Sequence, residues 1–582
     1  MSHRALPLLL SLLAASACSK GPEPQQNSST AAPTATASAT APADPGPFTK
    51  EAQAAAATID GKLIHDTVAE IASDAYQGRA PGSEGDIKAR AWLAAELQKI
   101  GFAPGANGGS WEQPFDLVGI SAAVPDTWDM HAGGKSVQFK PGTEFIAASG
   151  VQKDLAELKD AEVVFVGYGI HAPEYQWDDY KGMDLKGKVL LMLNNDPDWD
   201  PALFEGVRRL YYGRWTYKYE EAARQGAAGA IIIHTDPSAG YPWQVVQSSF
   251  SGEQFELPAG AEPRVQVTAW LTETAAGRLV QLGGHDLAQL LAAAREREFH
   301  PVPLGVRTSL AMKTVIRSTR SANVIGILKG TDPVLAGEFV VYSAHHDHLG
   351  VGDANPNGDP EDHIYNGAVD NASGTGMVLS VARAFAALPA RPHRSIMAAF
   401  VGAEEQGLVG SEYFALHPPV PVGKLAANLN LDSGNILGQA RDIILIGKGK
   451  SSLDAVADQV AAFQGRETRP DQFPDKGYFY RSDQFSFARV GVPALGLEGG
   501  TEIVGHEPGW GKAQLDAFTE QHYHQPSDEL RDDWNYDGMI QDAQFAFWMG
   551  LVVANAPQMP RWNPGDEFEA VREKQLGADA KN

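Results

Sequence analysis

The chain has 582 residues, 43% apolar and 20% charged, with a formal charge of 47 − 72 = −25. That acidic balance argues against a nucleic-acid binder, because a phosphate backbone is met by a basic face, and the length allows a sizeable core over several domains of roughly 150 residues. The single cysteine, Cys18, excludes an intramolecular disulfide and a cysteine-rich metal knuckle, so any metal must be held by His, Asp and Glu.

At the start, Arg4 precedes an apolar run, Ala5 to Ala17, too short to cross a bilayer but suited to the core of a signal peptide. It ends Ala15-Ser16-Ala17-Cys18, which resembles a bacterial lipobox with Ala15 where leucine is usual. Residues 1–17 are thus expected to be a signal peptide and Cys18 a lipid anchor, with ordinary secretory cleavage after Ala17 as the alternative. Residues 18–47 are rich in Ala, Thr, Pro and Ser with almost no large apolar side chain, and predict a disordered tether. Together these point to an exported protein anchored in a bacterial envelope, facing the periplasm or the outside.

The pattern from Leu63 to Phe102 is helical, with Ala89, Trp92, Leu93, Leu97 and Ile100 at helical spacing, Gly101 as the stop, and a turn-rich loop at Gln77 to Ser83. From 126 to 309 the texture changes to short β-runs: Val163–Val166, Lys188–Leu193 and Ala230–Ile233, with a helix near Tyr217–Gly226. After about 315, buried strands alternate with helices, the mark of a mostly parallel sheet with helices on both faces. The expected strands are Glu338–Ser343, Ser395–Val401, Ala426–Leu431 and Pro493–Leu497, with a helix at Thr375–Leu388 closed by Pro389. Phe545–Ala554 reads as a buried helix.

In open α/β sheets, functional groups gather beyond the carboxyl ends of the strands. Here one strand runs into Ala344-His345-His346-Asp347-His348, the next into Glu404-Glu405, and a third into Asp432, while Asp370 and His524 sit in loops. Taken singly, each has a plain structural reading: polar loop histidines, a carboxylate at a helix dipole for Asp370, a solvated helix start for Glu404-Glu405. Asp432 ending a buried strand needs a partner. Together, two histidines and three carboxylates can hold two divalent ions about 3.5–4 Å apart with one carboxylate shared. Bound metal brings the pKa of water toward about 7, making hydroxide available, and a further carboxylate must shuttle the proton. A mixed N/O set without thiolate suits zinc, with cobalt or manganese as substitutes.

In chain order the motifs SAHHDHLG, GAVDNASGTG, GAEEQGLVGSEYF, NLNLDS, RSDQFSFARVGVPA and YHQPSDE resemble the co-catalytic dizinc aminopeptidase family, the bacterial leucyl aminopeptidase and aminopeptidase Y type. The resemblance implies a zinc exopeptidase fold and two Zn²⁺ per chain. It implies His345 and Asp432 on one ion, Glu405 and His524 on the other, Asp370 bridging, and Glu404 as general base. Asp347 would hydrogen-bond His345 and fix its ring. Tyr523 sits where several relatives polarise the scissile carbonyl, core packing being the other reading.

Residues 126–309 resemble a protease-associated domain, through VVFVGYGI, the Trp177–Tyr180 turn, DLKGKVLLML and GAAGAIII. This implies a catalytic domain in two parts, 48–125 and 310–560, around that insertion, with 561–582 as a tail. The activity implied is removal of N-terminal residues from peptides by a zinc-activated hydroxide, with acidic surroundings suiting the substrate's amine. A glutamate-carboxypeptidase type is the alternative hydrolase and would need Arg481 or Lys512 for the terminal carboxylate. A surface-binding module with a vestigial site is the non-enzymatic alternative. Phe479, Tyr480 and Phe485 stand as pocket-lining or core residues. The Gly-, Asn- and Pro-containing stretch Asp353–Asp362 reads as a loop.

Overall fold

The computed structural model describes residues 46–249, 252–352 and 359–579. The expected signal peptide, Cys18, nearly all of the tether, residues 353–358 of the loop and the end of the tail lie outside the described residues.

Strands β1 (Glu112–Ala123) and β2 (Val302–Leu328) lead into a central sheet formed by β3 (Phe339–His345), β4 (Ser395–Val401), β5 (Leu425–Asn430), β6 (Asp442–Ile446) and β7 (Ala494–Gly499). The centre is parallel: β3 pairs with β4 and β5, and β5 with β7. The flanks are antiparallel, β2 against β4 and β6 against β7. Successive residues of β3 and β4 feed opposite cores, Val340, Tyr342 and Phe400 into one and Val341, Met397 and Ala399 into the other. A strand with both faces covered needs an unbroken apolar run, which is why these segments do not alternate with polar residues.

Helices α1 (Gly61–Ile71), α2 (Glu84–Ile100), α3 (Gly374–Ala387) and α4 (Asp537–Asn555) cover the first face. In α2, Ser83 caps the first turn by accepting from Asp86 N, Ala89, Leu93 and Leu97 are buried, and Gly101 ends the helix in the left-handed conformation at φ 102°. The expected helix at Thr375–Leu388 is α3, and Phe545–Ala554 is the buried second half of α4. The α1–α3 crossing is close: a Cβ on Gly376 would stand 3.0 Å from Ile64 Cα. On the opposite face, Phe414, Phe485 and Phe487 pack against the sheet. Among the described residues no helix is long and apolar enough to cross a membrane.

A second sheet lies between the two stretches of chain that build the first. Leu155–Phe165, Val189–Leu193, Gly229–His234 and Val267–Thr272 run parallel in that order, and Phe145–Ser149 pairs antiparallel at the edge. It too is covered on both faces, with Val163, Leu191 and Ile231 in one core and Val164, Leu190 and Ile232 in the other. The two sheets are joined by β2, whose 27 residues pass through position 309 without a break. β2 pairs first with Leu155–Phe165, then with β1 over Lys313–Val324, and finally with β4.

Candidate metal centre

The candidate ligands converge just past the carboxyl ends of the parallel strands. His345 is the last residue of β3, Glu404 and Glu405 lie in the turn after β4, and Asp432 stands two residues beyond β5. Asp370 lies in the segment Ala368–Ser373 that opens α3, and His524 follows the helix Trp510–Gln521.

His345 Nε2 is 3.1 Å from Asp370 Oδ1 and 3.1 Å from Asp432 Oδ1. His524 Nε2 is 3.2 Å from Asp370 Oδ2 and 3.1 Å from Glu405 Oε2. One oxygen of Asp370 therefore faces each histidine. Donor atoms of His345, Asp370 and Asp432 lie within 4.8 Å of one another, as do those of His348, Asp370 and Glu405, and those of His345, Glu404 and Glu405.

The electrostatics of this cluster are one-sided. Burial opposes a charge on His345, but Asp432, Glu404 and Asp370 outweigh it and hold the ring well above the usual imidazole range. His524 is penalised by burial in the same way and raised to about 10 by Glu405 and Asp370. Burial would lift the acids, yet the histidines hold Asp370 well below the carboxylate range and Glu405 at about 2. Glu404 goes the other way: burial pushes it well above the usual range, Glu405, Asp432 and Asp483 adding to burial against the pull of His345. Four carboxyl groups gathered around two imidazoles make the charge pattern that divalent cations satisfy with neutral rings. The residues fit such ions in charge, in donor type and in the shared oxygens of Asp370.

Neighbouring loops are tied to one another around these groups. Asp528 accepts from Val369 N and Asp370 N, both at 3.0 Å. Asn371 Oδ1 accepts from Gly374 N and Ser433 N at 3.0 Å, linking the Asp370 and Asp432 loops, and Ser482 Oγ donates to Asp432 Oδ2 at 2.5 Å. Arg79, fully buried, donates to the carbonyls of Ile71 (2.7 Å), His346 (2.8 Å), Asn366 (2.6 Å) and Gly367 (3.0 Å). It comes from the loop expected at Gln77 to Ser83. Gly78 beside it has φ +64° and would place a Cβ 2.5 Å from two carbonyl oxygens.

Three placements differ from the sequence expectation or extend it. Asp347 does not fix His345 with its carboxylate: His345 Nδ1 lies 3.2 Å from the Asp347 backbone oxygen and 3.9 Å from Oδ1, while Oδ1 accepts from Glu404 N at 3.0 Å. The tight His345–Asp347 turn brings the carbonyl under the ring and frees the carboxylate to hold the Glu404 backbone. Tyr523 is not core: it is 38% exposed and stacks on His524 with ring centroids 3.9 Å apart. His348, which carried no assigned role, is fully buried and donates from Nδ1 to Glu405 Oε1 at 2.6 Å. The density of histidine at 345–348 was the only signal for it. Phe479, Tyr480 and Phe485 are buried in the core, and Lys512 pairs with Asp516 on its own helix.

Residues 323–548 match the sequence profile of Peptidase family M28. The chain is 28% identical over 231 residues to Leupeptin-inactivating enzyme 1 of Streptomyces exfoliatus, covering 37% of this chain and 50% of that protein. It is 33% identical over 116 residues to aminopeptidase NAALADL1 of Rattus norvegicus, covering 19% and 13% respectively. The chain thus spans half the length, or less, of these curated relatives. Among solved structures it is similar to the aminopeptidase from Aneurinibacillus sp. strain AM-1, with TM-score 0.50, 18% identity, and coverage of 87% of this chain and 97% of that one.

Proposed function

We propose, since residues 323–548 match the profile of Peptidase family M28, that the chain is a metal-dependent aminopeptidase cleaving the N-terminal peptide bond of peptides. The observation that carries this reading is the sharing of Asp370 between His345 and His524, with Glu404 beside them. His345, Asp432 and Asp370 would hold one zinc ion, and Glu405, His524 and Asp370 a second, with cobalt or manganese as substitutes. Zinc supplies Lewis acidity toward the scissile carbonyl and acidifies water near neutral pH.

The chain's own residues supply the rest. Glu404 takes the proton of the attacking water and returns it to the leaving nitrogen; a carboxyl raised by burial keeps that proton more readily than an exposed one. The Asp347 bond to Glu404 N fixes that carboxyl's backbone. Tyr523, exposed beside His524, would donate to the carbonyl oxygen as charge develops on it.

We read residues 126–309 as a protease-associated insertion that shapes the cleft, and the N-terminal residues as an export signal with a lipid anchor at Cys18. Turnover of Leu-p-nitroanilide against its N-acetylated form tests the activity. Cleavage of the free amine alone is expected, whereas equal cleavage, or cleavage of the blocked substrate only, rejects an aminopeptidase.

A further inference from the structure

We propose, resting on the peptidase reading above, that Arg79 is the positioning residue that sets His345 against Asp370 for metal. The segment from Ala72 to Asp86, outside the region 323–548 that matches the family profile, then completes the site. His345 closes β3, whereas Asp370 lies in a segment that belongs to no strand. Their side chains nevertheless meet at 3.1 Å. The two backbones must be held in register, and one guanidinium reaches both.

Arg79 Nε donates to the carbonyl of His346, the residue after the β3 ligand. Nη1 and Nη2 donate to the carbonyls of Asn366 and Gly367, at the entry to the Asp370 segment, and Nη1 also holds Ile71 O at the end of α1. The group is fully buried, and buried carbonyls left without a donor are costly. Other bonds run along the same seam. Asn366 Nδ2 donates to Ala72 O at 2.8 Å and to Asp74 Oδ1 at 3.0 Å. The His346 ring lies with Nε2 3.0 Å from Asp86 Oδ1, while Asp86 Oδ2 accepts from Gly82 N at 2.8 Å and from Ser321 Oγ at 3.0 Å. Residue 346 is thus held at its carbonyl by Arg79 and at its ring by Asp86. Thr375 Oγ1 adds a direct tie from α3, donating to His345 O at 3.1 Å.

The backbone that delivers Arg79 is unusual. Gln77, Gly78 and Arg79 are left-handed in succession, with φ of 47°, 64° and 53°, a conformation unfavourable for the two that carry a side chain. Packing fixes it. Gly78 is pressed against Gly350 and Tyr365, and a Cβ on Gly85 in the first turn of α2 would stand 1.7 Å from Tyr76 O. A planar fork of donors suits carbonyls spread over several segments, and the compact ammonium of a lysine does not reach them all.

Arg394 supplies an internal control. It too is buried, but at the amino end of β4, away from the ligands, where it bonds Glu338 (2.8 Å) and the carbonyls of Val553 (2.9 Å) and Ala556. Arg79→Met and Arg394→Met should both lower the midpoint of urea unfolding. Zinc affinity by chelator competition should fall about 10- to 100-fold in Arg79→Met, with an altered visible spectrum of the Co²⁺-loaded chain, and stay at the parent value in Arg394→Met. Arg79→Lys keeps the charge without the fork and should fall between parent and Arg79→Met. Parent-like affinity and cobalt spectrum in Arg79→Met overturn the proposal, as they do in Arg79→Lys should the Met variant not fold. An equal loss of zinc in Arg394→Met overturns it as well. If the parent binds zinc but cleaves no peptide, the peptidase reading alone fails, because the affinity comparison judges Arg79 without turnover.

Discussion

In the second sheet Lys218 is fully buried near Asp179 and Asp196, and its ammonium also donates to the carbonyls of Tyr168 (2.5 Å) and Asn195 (3.1 Å). Burial lifts both aspartates to about 7 and lowers the lysine to about 7, each offset by the others, and Arg209 adds a second cation beside Asp196. That cluster closes on itself. In the central sheet, Asp370, Asp432, Glu404 and Glu405 gather at the same end of a similar parallel centre, and among the described residues no lysine or arginine forms an ion pair with any of them. Two sheets with the same strand logic therefore bury ions for different ends. A balanced cluster specifies structure, and an unbalanced one asks for a cation from outside.

The largest expected effect separates chemistry from metal holding. Glu404→Gln should lower kcat by about 10²- to 10⁴-fold while elemental analysis finds the metal content of the parent; a rate within a few-fold of the parent removes the assigned role. The second sheet should respond in the opposite sense. Lys218→Met leaves Asp179 and Asp196 uncompensated and is expected to cost about 3–5 kcal/mol in urea unfolding, again with metal content unchanged. A cost under about 1 kcal/mol would show that the cluster is not the balanced unit described.

A smaller effect is expected at His348, whose Nδ1 bond orients Glu405. His348→Ala should weaken metal binding about 10- to 100-fold in chelator competition, and unchanged affinity would reduce His348 to a packing residue. The smallest concerns a helix that touches neither cluster directly: Ser83→Ala removes the cap of α2 and should cost about 1 kcal/mol by thermal unfolding with kcat unaltered.

Much of the central sheet was legible because buried parallel strands are written as continuous apolar runs, and Ser395–Val401 is a strand over its whole expected length. The candidate ligands His345, Glu405 and Asp432 were legible because their positions follow strand ends, while Asp370 and His524 stood in loops. Residues whose role depends on distant chain were not. Arg79 reads as a loop arginine, yet its guanidinium is bonded to the carbonyls of His346, Asn366 and Gly367, nearly three hundred positions away. The strand β2 was hidden by its own composition: its first half alternates buried and exposed residues and its last part is buried throughout, because it changes partners along its length.

The central claim is that the carboxylates and histidines of the first sheet hold two cations across Asp370. Elemental analysis of chain purified without chelator and reconstituted with zinc measures this directly. Two zinc ions per chain are expected, falling to one or none in Asp370→Asn with the fold retained by circular dichroism. A chain that binds no zinc, or an Asp370→Asn variant that keeps both ions, would contradict it.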